Sequence, residues 1–197
     1  MIRISLSADV RKASSMLGQF RKQIPYIEAR TMTNLAKQVQ AAEKAGLSSV
    51  FDKPTPFTLR GVGITPATKG LPVATVFLKD KQAQYLAPYE FGGSTFLGTR
   101  VGVPVPVGIR TNQYGNLTRN KLAQLAANPK VFKGRVHGVS GFWQRMAGDH
   151  LKLLVEWTSG VQVKQHLDFA SRAKALVAKQ FAPTWETVVS AAIKTMK

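Results

Sequence analysis

Residues 131–158 read VFKGRVHGVSGFWQRMAGDHLKLLVEWT, and this stretch decides the β part of the fold. Aliphatic, β-branched and aromatic side chains recur in it between glycines, a pattern that is typical of short strands joined by tight turns. It predicts three antiparallel strands, over 131–137, 142–146 and 151–158. Because residues 151–157 are mostly apolar, we expect the third strand to lie at the centre of its sheet.

The sequence before these strands predicts a long amphipathic helix over about residues 25–48. Its apolar residues repeat at helical spacing and share one face, namely Ile24, Leu35, Val39, Ala42 and Gly46. Pro25 is expected to be the first residue of this helix, because proline is tolerated in a first turn and interrupts a helix elsewhere. A shorter helix is therefore predicted to end before Pro25.

The sequence after the strands is helical again. Apolar residues recur at helical spacing from Asp168 onward, and Pro183 is expected to begin a further helix. Residues 73–78 predict another strand. Helices on both sides of a group of strands predict an α+β fold. We expect residues 1–197 to form a single domain, in which a long N-terminal amphipathic helix and C-terminal helices pack on a small, mostly antiparallel sheet.

Two stretches rich in proline and glycine, residues 51–72 and 88–110, interrupt this pattern. Two prolines lie two residues apart in the first stretch, which favours an extended path over a helix. Pro104 and Pro106 have the same spacing in the second stretch, where they are typical of an edge strand or an arm. Extended arms that reach a neighbouring subunit and ordinary long loops both agree with this composition.

The charge balance of the chain is strongly basic. Lys and Arg number 28 against 10 Asp and Glu, so the net charge is +18. Such an excess favours a polyanion or an acidic protein surface as partner. The basic residues are spread along the chain without a tail rich in Lys and Arg, whereas a nucleic-acid-binding arm is normally a block of charge. We therefore expect the charge to be distributed over the folded surface.

Three basic residues, Arg30, Lys37 and Lys44, recur every seven residues along the predicted long helix. They fall opposite its apolar face and form a candidate contact stripe. Most stripes of this kind are solvated helix surfaces. The sharper hypothesis is that the stripe contacts a phosphate backbone or an acidic subunit, and the sequence does not decide between these partners.

The residue patterns of common catalytic and metal sites are absent from the sequence. His137, His150 and His166 are separated by 13 and 16 residues, which matches no zinc-binding spacing, and there is no cysteine. Residues 61–66 begin like a dinucleotide-binding loop but have proline in place of the third glycine. We therefore expect no enzyme activity, no catalytic or metal-binding residues and no cofactor. The alternative is an active site in which the fold brings one of these histidines next to an acidic side chain.

Three segments of the chain carry a family resemblance. The sequence FDKPTPFT occupies residues 51–58, directly after the long predicted helix. PVGI at 106–109 precedes NQYGNLTRNKL at 112–122, and LDFASRA occupies 167–173. In this order they resemble segments of virion structural proteins of tailed bacteriophages, of the minor-tail or tail-completion type. These motifs are distinctive as a set, and they are structural signatures that carry no catalytic residues.

The resemblance implies an α+β subunit that assembles as a homo-oligomeric ring in the virion, at the head–tail junction or in the tail, after synthesis in the host cytoplasm. The implied partners are other phage neck, portal or tail proteins, with non-specific contact to packaged DNA. Since no run of about 20 apolar residues occurs, we expect no membrane partner. The alternative function is that of a basic protein that binds nucleic acid without sequence specificity.

Overall fold

The computed structural model describes residues 7–94, 102–158, 160 and 162–195. Backbone contacts divide the chain into two compact units, each built from separate segments of the sequence. The first, which we call the helical unit, comprises Met1–Ala45, Val62–Leu78 and Phe169–Lys197. The second, the sheet unit, comprises Gly46–Gly61 and Lys79–Asp168.

The described residues form five α-helices, eight strands and a short 3₁₀ turn at Ala147–Asp149. The helices are α1 Ser7–Val50, α2 Pro56–Leu59, α3 Asp80–Phe91, α4 Lys121–Ala126 and α5 Phe169–Thr195. The strands are β1 Val62–Thr65, β2 Thr75–Leu78, β3 Gly93–Ser94, β4 Val103–Pro106, β5 Val131–Val136, β6 Val139–Arg145, β7 Leu151–Thr158 and β8 Gln162–Val163. All strand pairs are antiparallel, and the predicted α+β class is confirmed.

Helix α1 runs without a break through Pro25, so the predicted helix boundary at this residue is wrong. Phe20, before the proline, and Ile27, after it, pack in one cluster, which α5 completes with Val188 and Ala192. A proline inside a helix removes one backbone hydrogen bond and costs about 3 kcal/mol. Apolar contacts on both sides of Pro25 offset this cost, and they involve a segment that is distant in the sequence.

Helix α5 is also continuous, and the predicted restart at Pro183 is wrong. Thr184, Val188 and Ala192, which follow the proline, are the buried residues of this helix. Two of them belong to the same cluster as Ile27 of α1. Before Pro183, α5 is attached to α1 by the ion pair of Arg172 with Glu43, so α5 also contacts α1 on both sides of its proline.

Strands β1 and β2 form a two-stranded sheet in the helical unit, with Val62 opposite Leu78. The strand predicted over 73–78 is confirmed from Thr75 onward. The side-chain amide of Gln40 in α1 donates to the backbone oxygen of Val62 at 2.8 Å. This hydrogen bond attaches the small sheet to α1.

The sheet unit contains a four-stranded antiparallel sheet in the order β4-β7-β6-β5. The three strands predicted over 131–158 are confirmed, and β7 lies between two neighbours, as its apolar sequence predicted. Strands β5 and β6 meet in a two-residue turn, His137 and Gly138, with φ values of 49° and 84°. Positive φ at both positions matches the twist of the hairpin. The apolar core at this sheet is a cluster of Leu125, Val131, Phe142, Leu154 and Val155.

Residues 51–72, an expected arm or loop, contain α2 and β1. Pro56 occupies the start of α2, where its missing N–H is not needed, and Thr55 caps the helix by accepting from the Thr58 N–H at 3.2 Å. The expectation that these prolines disfavour a helix is therefore wrong for residues 56–59.

Residues 88–110, the second expected arm or loop, contain the end of α3 and the strands β3 and β4, and residues 95–101 lie outside the described part. Strand β4 is an edge strand of the four-stranded sheet, which agrees with the pattern of Pro104 and Pro106. Proline cannot donate a hydrogen bond to a ladder, so an edge is the position that tolerates it.

Candidate functional site

The candidate contact stripe lies on the solvent-facing side of α1. Arg30 and Lys37 are exposed, whereas Lys44 is half-buried. A helix rises by about 1.5 Å per residue, so seven residues separate Arg30 from Lys37 by about 10.5 Å along the axis. Leu35 and Val39, on the other side of the helix, are buried. The structure therefore presents two of the three predicted residues fully to solvent.

A groove of about 320 Å³ lies beside Arg30, between α1 and the loop that follows β1. The backbone N–H of Ala67 in this loop donates to Thr33 Oγ1 at 3.1 Å, which fixes the loop against the helix. Lys69 Nζ lies 5.8 Å from the centroid of the Tyr26 ring, within the range of a cation–π contact. The loop thereby brings another cation to the stripe.

Two further grooves lie between α1 and α5. The first, of about 410 Å³, is lined by Lys37, Asn34 and Gln180 together with residues around Pro183. The second, of about 220 Å³, is lined by Arg30 and again by Asn34. The two grooves share Asn34 and Thr187 in their lining, so they lie next to each other between α1 and α5, and we call the pair the depression.

Two hydrogen bonds join residues that line this depression. Gln38 Nε2 donates to Thr184 Oγ1 at 3.1 Å, and Thr184 is buried. The hydroxyl of Thr187 donates to the backbone oxygen of Pro183 at 2.8 Å. The first bond joins α1 to α5 and the second lies within α5, so these groups are engaged inside the helical unit, whereas Arg30 and Lys37 are exposed.

The lining of these three grooves is basic and rich in hydrogen-bond donors. Of the described side chains that line them, none is acidic. We call the surface formed by Tyr26, Arg30, Asn34, Lys37 and Lys69 the basic surface. Its charged groups are three cations, and its neutral groups are a phenol and an amide. The arrangement is suited to a negatively charged partner and offers no nucleophile paired with a base.

A buried ion pair joins α1 to α5 elsewhere in the helical unit. Arg172 Nη2 donates to Glu43 Oε2 at 2.6 Å, and Arg172 Nε lies 3.4 Å from Glu43 Oε1. The Glu43 side chain is 1% exposed and that of Arg172 33% exposed. A charge-assisted contact of this kind orients two helices. The partly exposed member of the pair is Arg172, so the carboxylate of Glu43 is not accessible to a substrate. We interpret it as structural.

A fourth groove in the helical unit, of about 400 Å³, is apolar. It lies between α1, α5 and strand β2, and we call it the apolar groove. Its main lining residues are Met32, Leu35, Val39, Val76, Ala173 and Val177. Among the described strands, β2 pairs with β1 alone, so its other edge has no strand partner there.

The aromatic residues of the four-stranded sheet are largely enclosed. Trp143 is buried, and Trp157 is half-buried with its ring 6.3 Å from that of Phe142. Lys133 Nζ lies 5.3 Å from the Trp157 ring centroid, and the Arg145 guanidinium 4.7 Å from that of Phe132. Lys133 covers the Trp157 ring and Trp143 is buried, so neither tryptophan of this sheet presents an open platform on which bases stack.

The three histidines lie at separate points of the sheet unit. His137 is in the β5–β6 turn, and His150 follows the 3₁₀ turn. His166 packs against Tyr89 and Phe51, with ring centroids 5.2 and 6.0 Å away. Within the described residues, no three His, Asp or Glu side chains come together to hold a metal ion.

Comparison with known proteins adds no assignment. No protein-family model matches the chain, and no curated protein and no solved structure is significantly similar to it. None of the described helices is long and apolar enough to cross a membrane.

Sequence reasoning missed a tyrosine-lined groove of about 200 Å³ in the sheet unit. Tyr85 and Tyr89 come from α3, and Tyr114 comes from the loop before α4. The Tyr85 hydroxyl lies 3.0 Å from that of Thr58. Helix α3 has no strong periodic pattern and contains a proline, so no local signal indicates that its tyrosines meet the other two segments.

Proposed function

We propose that this protein is a structural component of a tailed-phage virion, a ring-forming subunit that is part of the head–tail neck or completes the tail. The proposal starts from the three motif segments, which resemble those of minor-tail and tail-completion proteins. Residues 51–55 and Thr58 of the first motif line the same tyrosine groove as Tyr114 and Asn116 of the second. The backbone N–H groups of His166 and Leu167 both donate to the backbone oxygen of Tyr89, another lining residue, at 2.9 Å. Motif segments that are distant in the sequence but lie around one groove are typical of residues that maintain a fold.

The apolar groove is the single observation that carries the assembly part of the proposal. Its lining is almost entirely aliphatic or aromatic, with Lys174 as its one charged member among the described residues. Val177, at its rim, is 37% exposed. Exposed apolar surface is costly in water and marks contact sites between proteins. The described part of the chain leaves this groove open.

The position of β2 strengthens this interpretation. A two-stranded sheet has little independent stability, and an unpaired strand edge is a template for pairing with another chain. Directly before β2, Leu71 and Val73 are 63% and 56% exposed. The helical unit thus combines an apolar groove, a strand edge and an exposed apolar segment that precedes it.

These features suit a ring whose subunits contact one another through two different surfaces. In such a head-to-tail interface, a projecting segment of one subunit enters a groove of the next, and a closed rotation produces a ring. The net charge of +18 disfavours self-association of the chain alone. We therefore expect assembly to be most complete on an acidic partner ring.

The proposal is tested by the mass and symmetry of the protein, alone and with phage capsid or tail particles that lack it. Native mass spectrometry and electron microscopy are expected to show a ring or particle-bound copies in fixed number. Val177→Asp places a charge in the apolar groove, and we expect it to reduce the assembled fraction at least tenfold. Ala178→Asp adds the same charge at an exposed position of α5 that does not line the groove.

Equal assembly by Val177→Asp and Ala178→Asp, with both variants folded by circular dichroism, would remove the groove as the interface. A protein that stays monomeric and does not associate with particles under any of these conditions would overturn the proposed function itself.

A further inference from the structure

We propose that the basic surface of α1 binds the sugar–phosphate backbone of nucleic acid without reading its sequence. This inference stands apart from the proposed function, because it concerns a different face of the helical unit from the apolar groove. It commits the stripe predicted from the sequence to one partner and replaces Lys44, which is half-buried, by Lys69 from the neighbouring loop.

The spacing of the cations fits a phosphate backbone. Arg30 and Lys37 are exposed on one side of α1, about 10.5 Å apart along its axis. Duplex DNA carries a negative charge about every 1.7 Å along its axis, so cations at this spacing find phosphates in any register. Lys69 extends the line of charge sideways, beside the Tyr26 ring.

The neutral side chains of the surface point to the same partner. Most hydrogen bonds from proteins to DNA reach phosphate oxygens, and Asn, Gln, Thr and Tyr supply many of them beside Arg and Lys. Asn34 lies between Arg30 and Lys37 in the sequence and lines both grooves toward α5. Gln180 and Tyr26 border the same depression.

An acidic protein surface is a poorer fit. Protein interfaces are built around a desolvated apolar or aromatic centre, with charges at the rim. Here the exposed centre is charged, and Val188 and Ala192, the apolar residues that line its floor, are buried in the contact between α1 and α5. The large exposed apolar features of this unit lie at the apolar groove and the segment before β2 instead.

The structure also indicates why binding is independent of sequence. Base reading requires side chains that reach groove edges, as on a recognition helix, or open aromatic platforms for single strands. Along α1 the basic surface presents two cations, Arg30 and Lys37, at a seven-residue interval. The surface can contact phosphate groups along a nucleic-acid backbone, and it has no ordered set of side chains that would reach the base edges.

The test measures binding of a fluorescein-labelled duplex of mixed sequence, about 30 base pairs long, by fluorescence anisotropy between 50 and 200 mM salt. The double variant Arg30→Gln/Lys37→Gln removes two phosphate contacts. Each contact contributes about 0.9 to the slope of log affinity against log salt, so we expect the slope to fall by about 1.8. The full-length chain is used throughout.

Arg21→Gln/Lys179→Gln is the matched control. It removes the same two residue types from exposed positions that line none of the three grooves. Arg21 lies nine residues before Arg30 and therefore on the opposite side of α1. We expect this variant to keep nearly the whole salt slope.

Equal losses in the two double variants would assign binding to net charge and overturn the inference, as would an unchanged slope in Arg30→Gln/Lys37→Gln. A third arm uses poly-L-glutamate as an acidic-protein probe. If the first double variant loses poly-L-glutamate binding while keeping duplex binding, the surface fits an acidic protein and the inference is wrong.

Discussion

The core of the four-stranded sheet in the sheet unit and the contact between the two long helices of the helical unit are stabilised by different kinds of interaction. The core of the sheet unit is a cluster of apolar residues, among them Phe142, Leu154 and Val155. In the helical unit, apolar packing is joined by buried polar contacts between the two long helices, made by Glu43 and Thr184, which are both less than a tenth exposed. Apolar burial is tolerant of detail, whereas a buried charge requires one particular partner.

The two kinds of interaction place different requirements on the sequence. A strand pattern buries its apolar side chains in any sheet of suitable register. Two long helices can slide or rotate against each other while apolar residues stay covered, so polar pairs at fixed positions select one arrangement. The ion pair of Glu43 with Arg172 and the hydrogen bond of Gln38 with Thr184 have this role between α1 and α5.

The largest expected effect is the loss of stability caused by a substitution in the apolar core of the sheet unit. Phe142→Ala removes a ring that is 6% exposed and packs in the central cluster. We expect the free energy of unfolding of this unit to fall by about 3–5 kcal/mol, through lost burial and the cavity that remains. Urea unfolding followed by tryptophan fluorescence measures it in a Trp185→Phe background, where Trp143 and Trp157 remain as probes.

Phe57→Ala is the control for this prediction, because Phe57 belongs to the same unit and is 50% exposed. Its effect is expected to stay below about 1 kcal/mol. A similar loss in both variants would contradict the assignment of Phe142 to the core.

A somewhat smaller effect is expected from the buried ion pair of the helical unit. Arg172→Met leaves the Glu43 carboxylate, 1% exposed, without its guanidinium partner. We expect a loss of about 3 kcal/mol, since a buried charge that loses its partner keeps its desolvation cost. Thermal and urea unfolding are followed by the helical circular dichroism signal.

Lys179→Met, at an exposed position of the same helix, is expected to change stability by about 0.5 kcal/mol or less. Adding Glu43→Leu to Arg172→Met removes the buried carboxylate and is expected to restore part of the loss. If the double variant is less stable than Arg172→Met alone, the buried charge is not the cause.

The smallest expected effect concerns the hydrogen bond between Gln38 and Thr184. Thr184→Val keeps the shape of the buried side chain and removes the oxygen that accepts from Gln38 Nε2 at 3.1 Å. We expect a loss of about 1 kcal/mol. Thr187→Val, which removes an exposed hydroxyl bonded within α5, is the matched control and is expected to cost less. Equal costs would show that the contact between the helices does not depend on this bond.

Much of the fold could be predicted from local patterns. The three strands over 131–158, the central place of β7 and the buried face of α1 at Leu35 and Val39 all follow from periodicity. Side chains that repeat at two or 3.6 residues have to share one face of an element, whatever the element packs against. The basic side of α1 follows from the same rule, and the structure confirms exposure for Arg30 and Lys37.

The tertiary structure decided what depends on segments distant in the sequence. Helices α1 and α5 continue through Pro25 and Pro183 because their faces pack on each other, which outweighs the local cost of proline. Lys69 joins the basic surface only through the loop after β1. Local patterns were sufficient to predict an α+β chain with a basic helix face. Where the helices continue and which cations share a surface depend on long-range packing, because those energies arise between residues that no local pattern connects.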